Sequence, residues 1–161
     1  MPPVPGAHGH VRGVYDLIDE HRAAHPTVEI ESCASGGGRV DLGILRRTDR
    51  VWTSDCNDAV DRQNIQRGFS MLFPPEVMGA HIGPPRAHTT HRTQNLGFRA
   101  ATALFGSLGI EWNLLDAGDE GRAGVGAAVA LHKRLRPLLH GGDLVRVDHL
   151  APAVRVHGVV R

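Results

Sequence analysis

Residues 31–62 read ESCASGGGRVDLGILRRTDRVWTSDCNDAVDR, and this stretch decides the fold. A β-like run at 28–33 leads into a glycine-rich turn at 36–38. A second β-like run at 51–53 ends just before Asp55, an acid that we expect to be exposed. Two successive strands of this kind predict a parallel pair, and the polar ends of parallel strands are what an α/β-barrel active site is built from.

The rest of the chain continues the same alternation of strands and helices. The predicted elements outside the opening stretch are a helix from Val11 that stops at Pro26, a helix from Asp58 that stops at Pro74 and carries Ile65, Phe69 and Leu72 on one face, a strand at 77–80, a helix at 96–105, a strand at 109–114, a weaker helix at 125–139, and β-like runs at 144–147 and 154–160 joined through Pro152. Alternation of this kind predicts an α/β fold with parallel strands. Four such strands make either a small open sheet or half of an eight-stranded barrel. The last two runs are typical of antiparallel strands.

Size and composition favour one ordinary domain of modest charge. The chain has 161 residues and a formal net charge of +1, so it has no strong attraction for nucleic acid or for an anionic membrane. No apolar run reaches the roughly 18 residues that span a bilayer. Residues 1–10 are rich in Pro, Gly and His and lack the pattern of a signal peptide, so we expect them to be disordered and the protein to be cytoplasmic. The two cysteines, Cys33 and Cys56, give no disulfide framework.

The glycine turn at 36–38 is open to three interpretations. Its backbone N–H groups could bind a phosphate, but it lacks the Gly-Lys-Ser/Thr ending of a P-loop, and Asp41 occupies the last position of Gly-x-Gly-x-x-Gly. It could be a tight turn that needs positive φ. The glycines could also let the backbone approach a sugar, with Cys33 and Arg39 beside it.

Asp55 and Trp52 are the residues of this stretch with the clearest catalytic chemistry. A carboxyl group at the end of a barrel strand stands where catalytic groups stand, and partial burial beside Trp52 would keep it protonated, as a general acid requires. Asp55 could instead be a helix N-cap or a solvated acid, and Trp52 could be a core residue, as Trp112 could. Asp58 and Asp61 are typical of a helix cap and a helix surface, and Arg62 is expected to pair with one of them.

Three loop histidines, His81, His88 and His91, raise the question of a metal site. Their spacing is not that of His-Glu-x-x-His, and no neighbouring acid or cysteine completes a zinc set. We therefore expect them to line a pocket or face solvent, and we expect neither a metal nor another cofactor.

Taken together, these motifs resemble those of the microbial α-galactosidases of glycoside hydrolase family 36. That family carries ESC-x-S-GGGR, then WTSD-x-x-DA-x-x-R, then an MGAH segment and an RT pair. The matching residues of this chain are Glu31, Ser32, Cys33, Ser35, Gly36, Gly37, Gly38, Arg39, Trp52, Thr53, Ser54, Asp55, Asp58, Ala59, Arg62, Met78, Gly79, Ala80, His81, Arg92 and Thr93. The similarity runs from about Val11 to the C-terminus.

The resemblance implies a retaining glycosidase that releases terminal α-galactose from oligosaccharides such as raffinose and melibiose. Asp55 would be the acid/base that acts as proton donor. The substrate-binding residues would be Cys33, Ala34, Ser35, Gly36, Gly38, Arg39 and Trp52. A retaining mechanism also needs a nucleophilic carboxylate about 5–5.5 Å from the acid/base. The family carries it in a Lys-Trp-Asp segment, which this chain does not contain, so we expect no nucleophile here and no activity from the chain alone.

The same resemblance implies a domain organisation. Residues 11–140 would form the C-terminal half of a (β/α)8 TIM barrel, and 141–161 would begin a C-terminal β-sandwich domain, making the chain a C-terminal fragment. The expected partner is an α-galactoside, with no nucleic acid and no membrane, and the intact enzyme is a candidate homo-oligomer. Two alternatives stay open: a non-catalytic galactoside-binding remnant and a small nucleotide-binding α/β domain.

Overall fold

The computed structural model describes residues 6–151 and 153–161, and it has α/β architecture. Its elements in chain order are α1 (Ala7–Ala24), β1 (Glu31–Ser32), α2 (Leu42–Leu45), β2 (Arg50–Trp52), α3 (Ala59–Phe69), a 3-10 turn (Pro75–Val77), β3 (Met78–Ile82), α4 (Leu96–Ala103), β4 (Ser107–Ile110), α5 (Gly118–Leu139), β5 (Asp143–Val147) and β6 (Val156–Val160). None of the helices in this described part is long and apolar enough to cross a bilayer.

The strands form two sheets. The first holds β1, β2, β3 and β4 side by side in chain order, and every neighbouring pair is parallel. The second is the antiparallel pair β5 and β6. The predicted α/β class and the predicted antiparallel ending are therefore confirmed. Because parallel neighbours run in the same direction, the carboxyl ends of all four strands of the first sheet lie along one edge.

A small apolar core covers one face of the parallel sheet. Ala80, Ile82 and Ala103 are buried at its centre. The partly buried residues that pack around them are Leu96, Ala100, Leu108 and Ala128. Alanines at several of these positions let α4 and α5 approach the sheet closely, so β3 and β4 are the best-supported strands of the sheet.

The first helix begins earlier than the sequence indicated. Residues 7–10 belong to α1, so the expected disorder of 1–10 is wrong for them, while 1–5 lie outside the described residues. The prolines of this segment are confined to positions 2, 3 and 5, and nothing after them prevents a helix. The predicted stop at Pro26 is confirmed, since α1 ends at Ala24.

Two strand boundaries differ from the prediction for local reasons. β1 is reduced to Glu31–Ser32 because the N–H of Ile30 donates to the Asp49 carboxylate at 2.8 Å instead of to a neighbouring strand. β4 runs over Ser107–Ile110 and not over 109–114. The chain turns directly afterwards, where the Asp116 N–H donates to the Asn113 carbonyl at 3.0 Å.

The helices also differ at their ends. α4 stops at Ala103, and α3 stops at Phe69, which leaves Leu72 beyond its predicted apolar face and 82% exposed. α5 begins at Gly118, well before the predicted start at 125. Glycine lowers helix propensity, and Gly124 now lies inside α5; a Cβ there would lie 2.4 Å from Leu96 Cδ2, so the glycine allows α4 and α5 to touch.

Candidate active site

The glycine turn packs against the backbone that carries Asp55. Ser35 and Gly36 both have positive φ, 50° and 69°. A Cβ on Gly36 would lie 2.7 Å from Ser54 Cα and 2.8 Å from the Asp55 nitrogen. Real Cβ atoms do not come that close to a backbone atom, so only glycine fits at position 36. The carboxyl ends of β1 and β2 are thereby held in direct backbone contact.

The other two glycines of the turn are explained in the same way. A Cβ on Gly37 would lie 2.5 Å from the Thr53 carbonyl oxygen, and one on Gly38 would lie 2.4 Å from the Ala34 carbonyl oxygen. These contacts favour the tight-turn interpretation of the glycines. The space that each missing side chain leaves is filled by the protein's own backbone, which removes the need for a phosphate or a sugar to explain it.

The remaining predicted binding residues surround this turn. Cys33, Ser35 and Gly38 are exposed, whereas Ala34 and Arg39 are half-buried. Both cysteines of the chain are free thiols. The exposed positions line the edge of the sheet beside Asp55, where a solute can reach them.

Asp55 itself is exposed, as its position after a strand predicted. The partial burial beside Trp52 that the sequence suggested is therefore not observed for Asp55. The alternative role as a helix N-cap is also wrong, because α3 is capped by Asp58. The loop that holds Asp55 is tightened by a hydrogen bond from the Cys56 N–H to Ser54 Oγ at 3.1 Å.

Asp58 is the buried anchor of that loop. One carboxylate oxygen accepts the Val60 N–H at 2.7 Å and so caps α3, while the other accepts from Thr90 and, at 2.6 Å, from Arg92 Nε. Burial disfavours its charge, but these hydrogen bonds outweigh burial and hold the pKa of Asp58 below its ordinary value. Arg92 also pairs with Asp61, so the 83–95 loop is fastened to the start of α3.

Arg62 does not pair with either aspartate, contrary to expectation. It is 1% exposed, and its guanidinium donates to the Gly79 carbonyl at 2.5 Å and to the Ser54 carbonyl at 3.4 Å. It also lies over the Trp52 ring, 4.8 Å from the centroid. Burial lowers the pKa of Arg62 to about 10, and the nearby acidic groups oppose that shift. One buried cation thus joins the backbone just after β2 to the second residue of β3, and Ser54, one of its acceptors, directly precedes Asp55.

Trp52 lies flat on the sheet with 9% of its surface exposed. Its ring is stacked on His81, with centroids 4.2 Å apart and planes inclined by 23°. Glycines on the neighbouring strands leave room for both rings: a Cβ on Gly79 would lie 3.2 Å from Trp52, and one on Gly109 would lie 2.4 Å from His81. The core interpretation of Trp52 is thus favoured.

The three histidines do not come together. His81 is half-buried against Trp52, while His88 and His91 are exposed on the loop. Across the described ranges, no group of three or more His, Cys, Asp or Glu side chains is placed to hold a metal ion.

The arrangement presents the exposed carboxyl group of Asp55 on a rigid support, beside an exposed thiol and hydroxyl. Such a carboxyl group can exchange a proton with a solute bound over the edge of the sheet. The sequence did not identify two supporting residues, Arg92 and Glu111. Both lie within the resemblance to family 36, Arg92 in the RT pair and Glu111 in the segment ALFGSLGIEWNL, but no role was assigned to either; the Glu111 carboxylate accepts a hydrogen bond from Asn57 Nδ2 at 2.9 Å.

Comparisons with known proteins extend this description. The melibiase family matches residues 3–142. An α-galactosidase of Escherichia coli is 49% identical over 154 residues, a region that covers 96% of this chain and 22% of that protein.

Solved structures of α-galactosidases have a similar fold over the matched residues. The α-galactosidase of Lactobacillus brevis superimposes with a TM-score of 0.89 at 37% identity, covering 96% of this chain and 21% of that one. A variant of the GH36 α-galactosidase AgaA from Geobacillus stearothermophilus, in complex with raffinose, gives a TM-score of 0.85 at 34% identity, over 91% of this chain and 20% of that one. The chain spans about a fifth of the length of the relatives that it matches.

Proposed function

The chain belongs to the melibiase family, glycoside hydrolase family 36, and on that premise we propose that it forms the acid/base part of an α-galactosidase active site. The substrate class is an oligosaccharide with a terminal α-galactose, such as raffinose or melibiose. The observation that carries the proposal is the rigid presentation of Asp55: an exposed carboxyl group clamped by the glycine turn, by Arg62 and by the Asp58 cap.

The proposed reaction is a double displacement that retains the anomeric configuration. A nucleophilic carboxylate outside this chain attacks the anomeric carbon, and Asp55 donates its proton to the departing glycosidic oxygen. Asp55, now a carboxylate, then takes a proton from water as that water attacks the anomeric carbon and displaces the nucleophilic carboxylate. Galactose leaves, and Asp55 is again protonated.

The residues of the turn have binding roles in this proposal. The exposed Cys33 and Ser35 lie beside Asp55 and offer a thiol and a hydroxyl to sugar hydroxyls. Ala34, Gly36 and Gly38 shape the backbone between them, Arg39 flanks the turn, and Trp52 closes the floor. The parallel sheet is proposed to be half of a TIM barrel, and the hairpin β5–β6 the start of the next domain. A cytoplasmic location and an oligomeric intact enzyme remain part of the same proposal.

A segment exchange tests the assignment of Asp55. The chain replaces the matching 154 residues of the E. coli relative, and hydrolysis of raffinose and of an activated aryl α-galactoside is measured. We expect the exchanged enzyme to be active. The Asp55→Asn variant should lose about 100- to 10,000-fold in kcat/KM on raffinose, because its leaving group needs a proton. Azide, which attacks without a general base, should restore part of the turnover of the aryl substrate.

The matched control is Asp119→Asn, which removes the same charge from a fully exposed position on α5. It should leave both activities unchanged. Full raffinose hydrolysis by the Asp55→Asn enzyme would remove Asp55 from the mechanism. Hydrolysis of the aryl substrate by the chain on its own would show that a carboxylate within it serves as nucleophile.

A further inference from the structure

Glu111 stands at the same edge of the sheet as Asp55. It follows β4 directly, and its N–H donates to the Ile82 carbonyl at 3.1 Å, which extends the pairing of β3 with β4 by one step. The backbone at Glu111 is therefore fixed, and only the side chain has freedom. The residue lies within the stretch that resembles family 36, but the resemblance assigned it no role.

One oxygen of the Glu111 carboxylate contacts two neighbouring side chains. Oε2 accepts a hydrogen bond from Asn57 Nδ2 at 2.9 Å. The same oxygen lies 3.5 Å from Nδ1 of His81. The carboxylate thus bridges the loop after β2 and the end of β3.

The hydrogen bond from Asn57 connects Glu111 to the loop that carries Asp55. Asn57 is two residues after Asp55 in the same short loop. Its side chain lies against the backbone of the next strand end, since a Cβ on Gly83 would be 2.6 Å from Nδ2. The amide is thus held between Gly83 and Glu111, and removing its acceptor frees that part of the loop.

The contact with His81 connects Glu111 to Trp52, the proposed floor of the site. The imidazole is stacked on Trp52 and passes directly over Gly109. Stacking fixes the plane of the ring, but a 180° flip about the Cβ–Cγ bond keeps that plane and exchanges Nδ1 with Cδ2, and the contact of Nδ1 with Glu111 favours one of the two flips. The orientation of His81 therefore depends on the carboxylate.

We propose that Glu111 is a positioning residue that sets both the loop of Asp55 and the His81–Trp52 stack. The inference rests on the proposed function, because it assigns Glu111 to the same reaction. The side chain of Glu111 is 43% exposed, so its contacts add little to stability. These contacts act by fixing the positions of the Asp55 loop and of His81. A displacement of a catalytic group by about 1 Å can cost on the order of 100-fold in rate.

The test uses the exchanged enzyme described above and compares two substrates. Glu111→Ala removes the acceptor, and we expect it to lower kcat/KM on raffinose by about 10- to 100-fold. On 2,4-dinitrophenyl α-galactoside, whose leaving group needs no proton, the loss in the first step should be clearly smaller. Asn57→Ala should show the same preference, and Glu111→Gln, whose amide oxygen can still accept from Asn57, should recover most of the raffinose activity. Glu120→Ala, at an exposed position on α5, is the control.

The ratio of the two losses decides the outcome. Partial unfolding lowers the active fraction equally for both substrates, so it cannot produce a larger loss on raffinose. Equal losses, or no loss, in Glu111→Ala and Asn57→Ala would overturn the positioning role. If Asp55→Asn meanwhile abolishes raffinose hydrolysis, the proposed function stands and only the inference about Glu111 fails.

Discussion

Replacing Gly36 by alanine should destabilise the chain more than the same change at any exposed glycine. Two penalties combine at this position. A non-glycine residue at φ 69° costs about 1–2 kcal/mol. The new Cβ would also overlap two backbone atoms, at 2.7 Å and 2.8 Å, and overpacking of that kind costs about 1–3 kcal/mol. We therefore expect Gly36→Ala to lower the free energy of unfolding by about 2–5 kcal/mol.

Two other glycines of the chain separate these penalties. Gly118 has φ 64° with nothing within 4 Å of its Cβ position, so Gly118→Ala measures the cost of the backbone conformation alone. Gly37 has no positive φ, but its Cβ would lie 2.5 Å from the Thr53 carbonyl oxygen, so Gly37→Ala measures the overlap alone. The loss of unfolded-state freedom on changing glycine to alanine is common to all three and cancels in their differences.

Urea unfolding followed by tryptophan fluorescence supplies the three free energies. The unfolded-state contribution, about 0.4–1 kcal/mol, enters the sum of the other two losses twice, so the loss in Gly36→Ala should exceed that sum by about this amount. The reasoning fails if Gly36→Ala costs no more than Gly118→Ala within about 0.5 kcal/mol, which is the usual scatter of such differences. That result would mean that the turn and the Asp55 loop move apart at little cost.

Two further predictions concern pH. Asp58 has a lowered pKa in the folded chain, so its contribution to stability is complete above about pH 4, its ordinary pKa, and is lost as the pH falls through the folded-state pKa. Asp58→Asn should therefore lower the free energy of unfolding by about 1–3 kcal/mol at pH 7. Urea unfolding of both chains should show this difference shrinking as the pH is lowered. Burial lowers the pKa of His132, with smaller contributions from His140 and Arg136, so the parent chain should lose stability as the pH falls below about 6.5. His132→Gln should flatten that slope in thermal unfolding between pH 7 and 5, and an unchanged slope would contradict the assignment.

The sequence was sufficient to predict features that depend on residues adjacent in the chain. Pro26 follows the end of α1, and Asp58 caps α3, because capping and proline effects depend only on a few adjacent residues. Alternation of strands and helices likewise predicted the parallel sheet. Asp55 could be placed at an exposed strand end for the same reason.

Contacts between residues far apart in the sequence could not be predicted in this way. Asn57 and Glu111 are separated by 54 positions, and no local pattern indicates that they meet. Arg62 was expected to pair with Asp58 or Asp61, its neighbours in sequence, but it donates from α3 to the Gly79 carbonyl on β3. The start of α5 was misplaced because glycine lowers helix propensity, whereas at Gly124 the contact with Leu96 outweighs that cost.

The chain-order arrangement of β1 to β4 also bears on how the sheet is made. Each strand pairs with the one that precedes it, across a single helical connection, so every pairing closes a short loop and carries a small entropic cost. A ribosome delivers the chain from the N-terminus, and domains form as their segments emerge. Each parallel pair can therefore form before the next strand has emerged from the ribosome, and the loop of Asp55 can pack on the glycine turn before β4 has emerged.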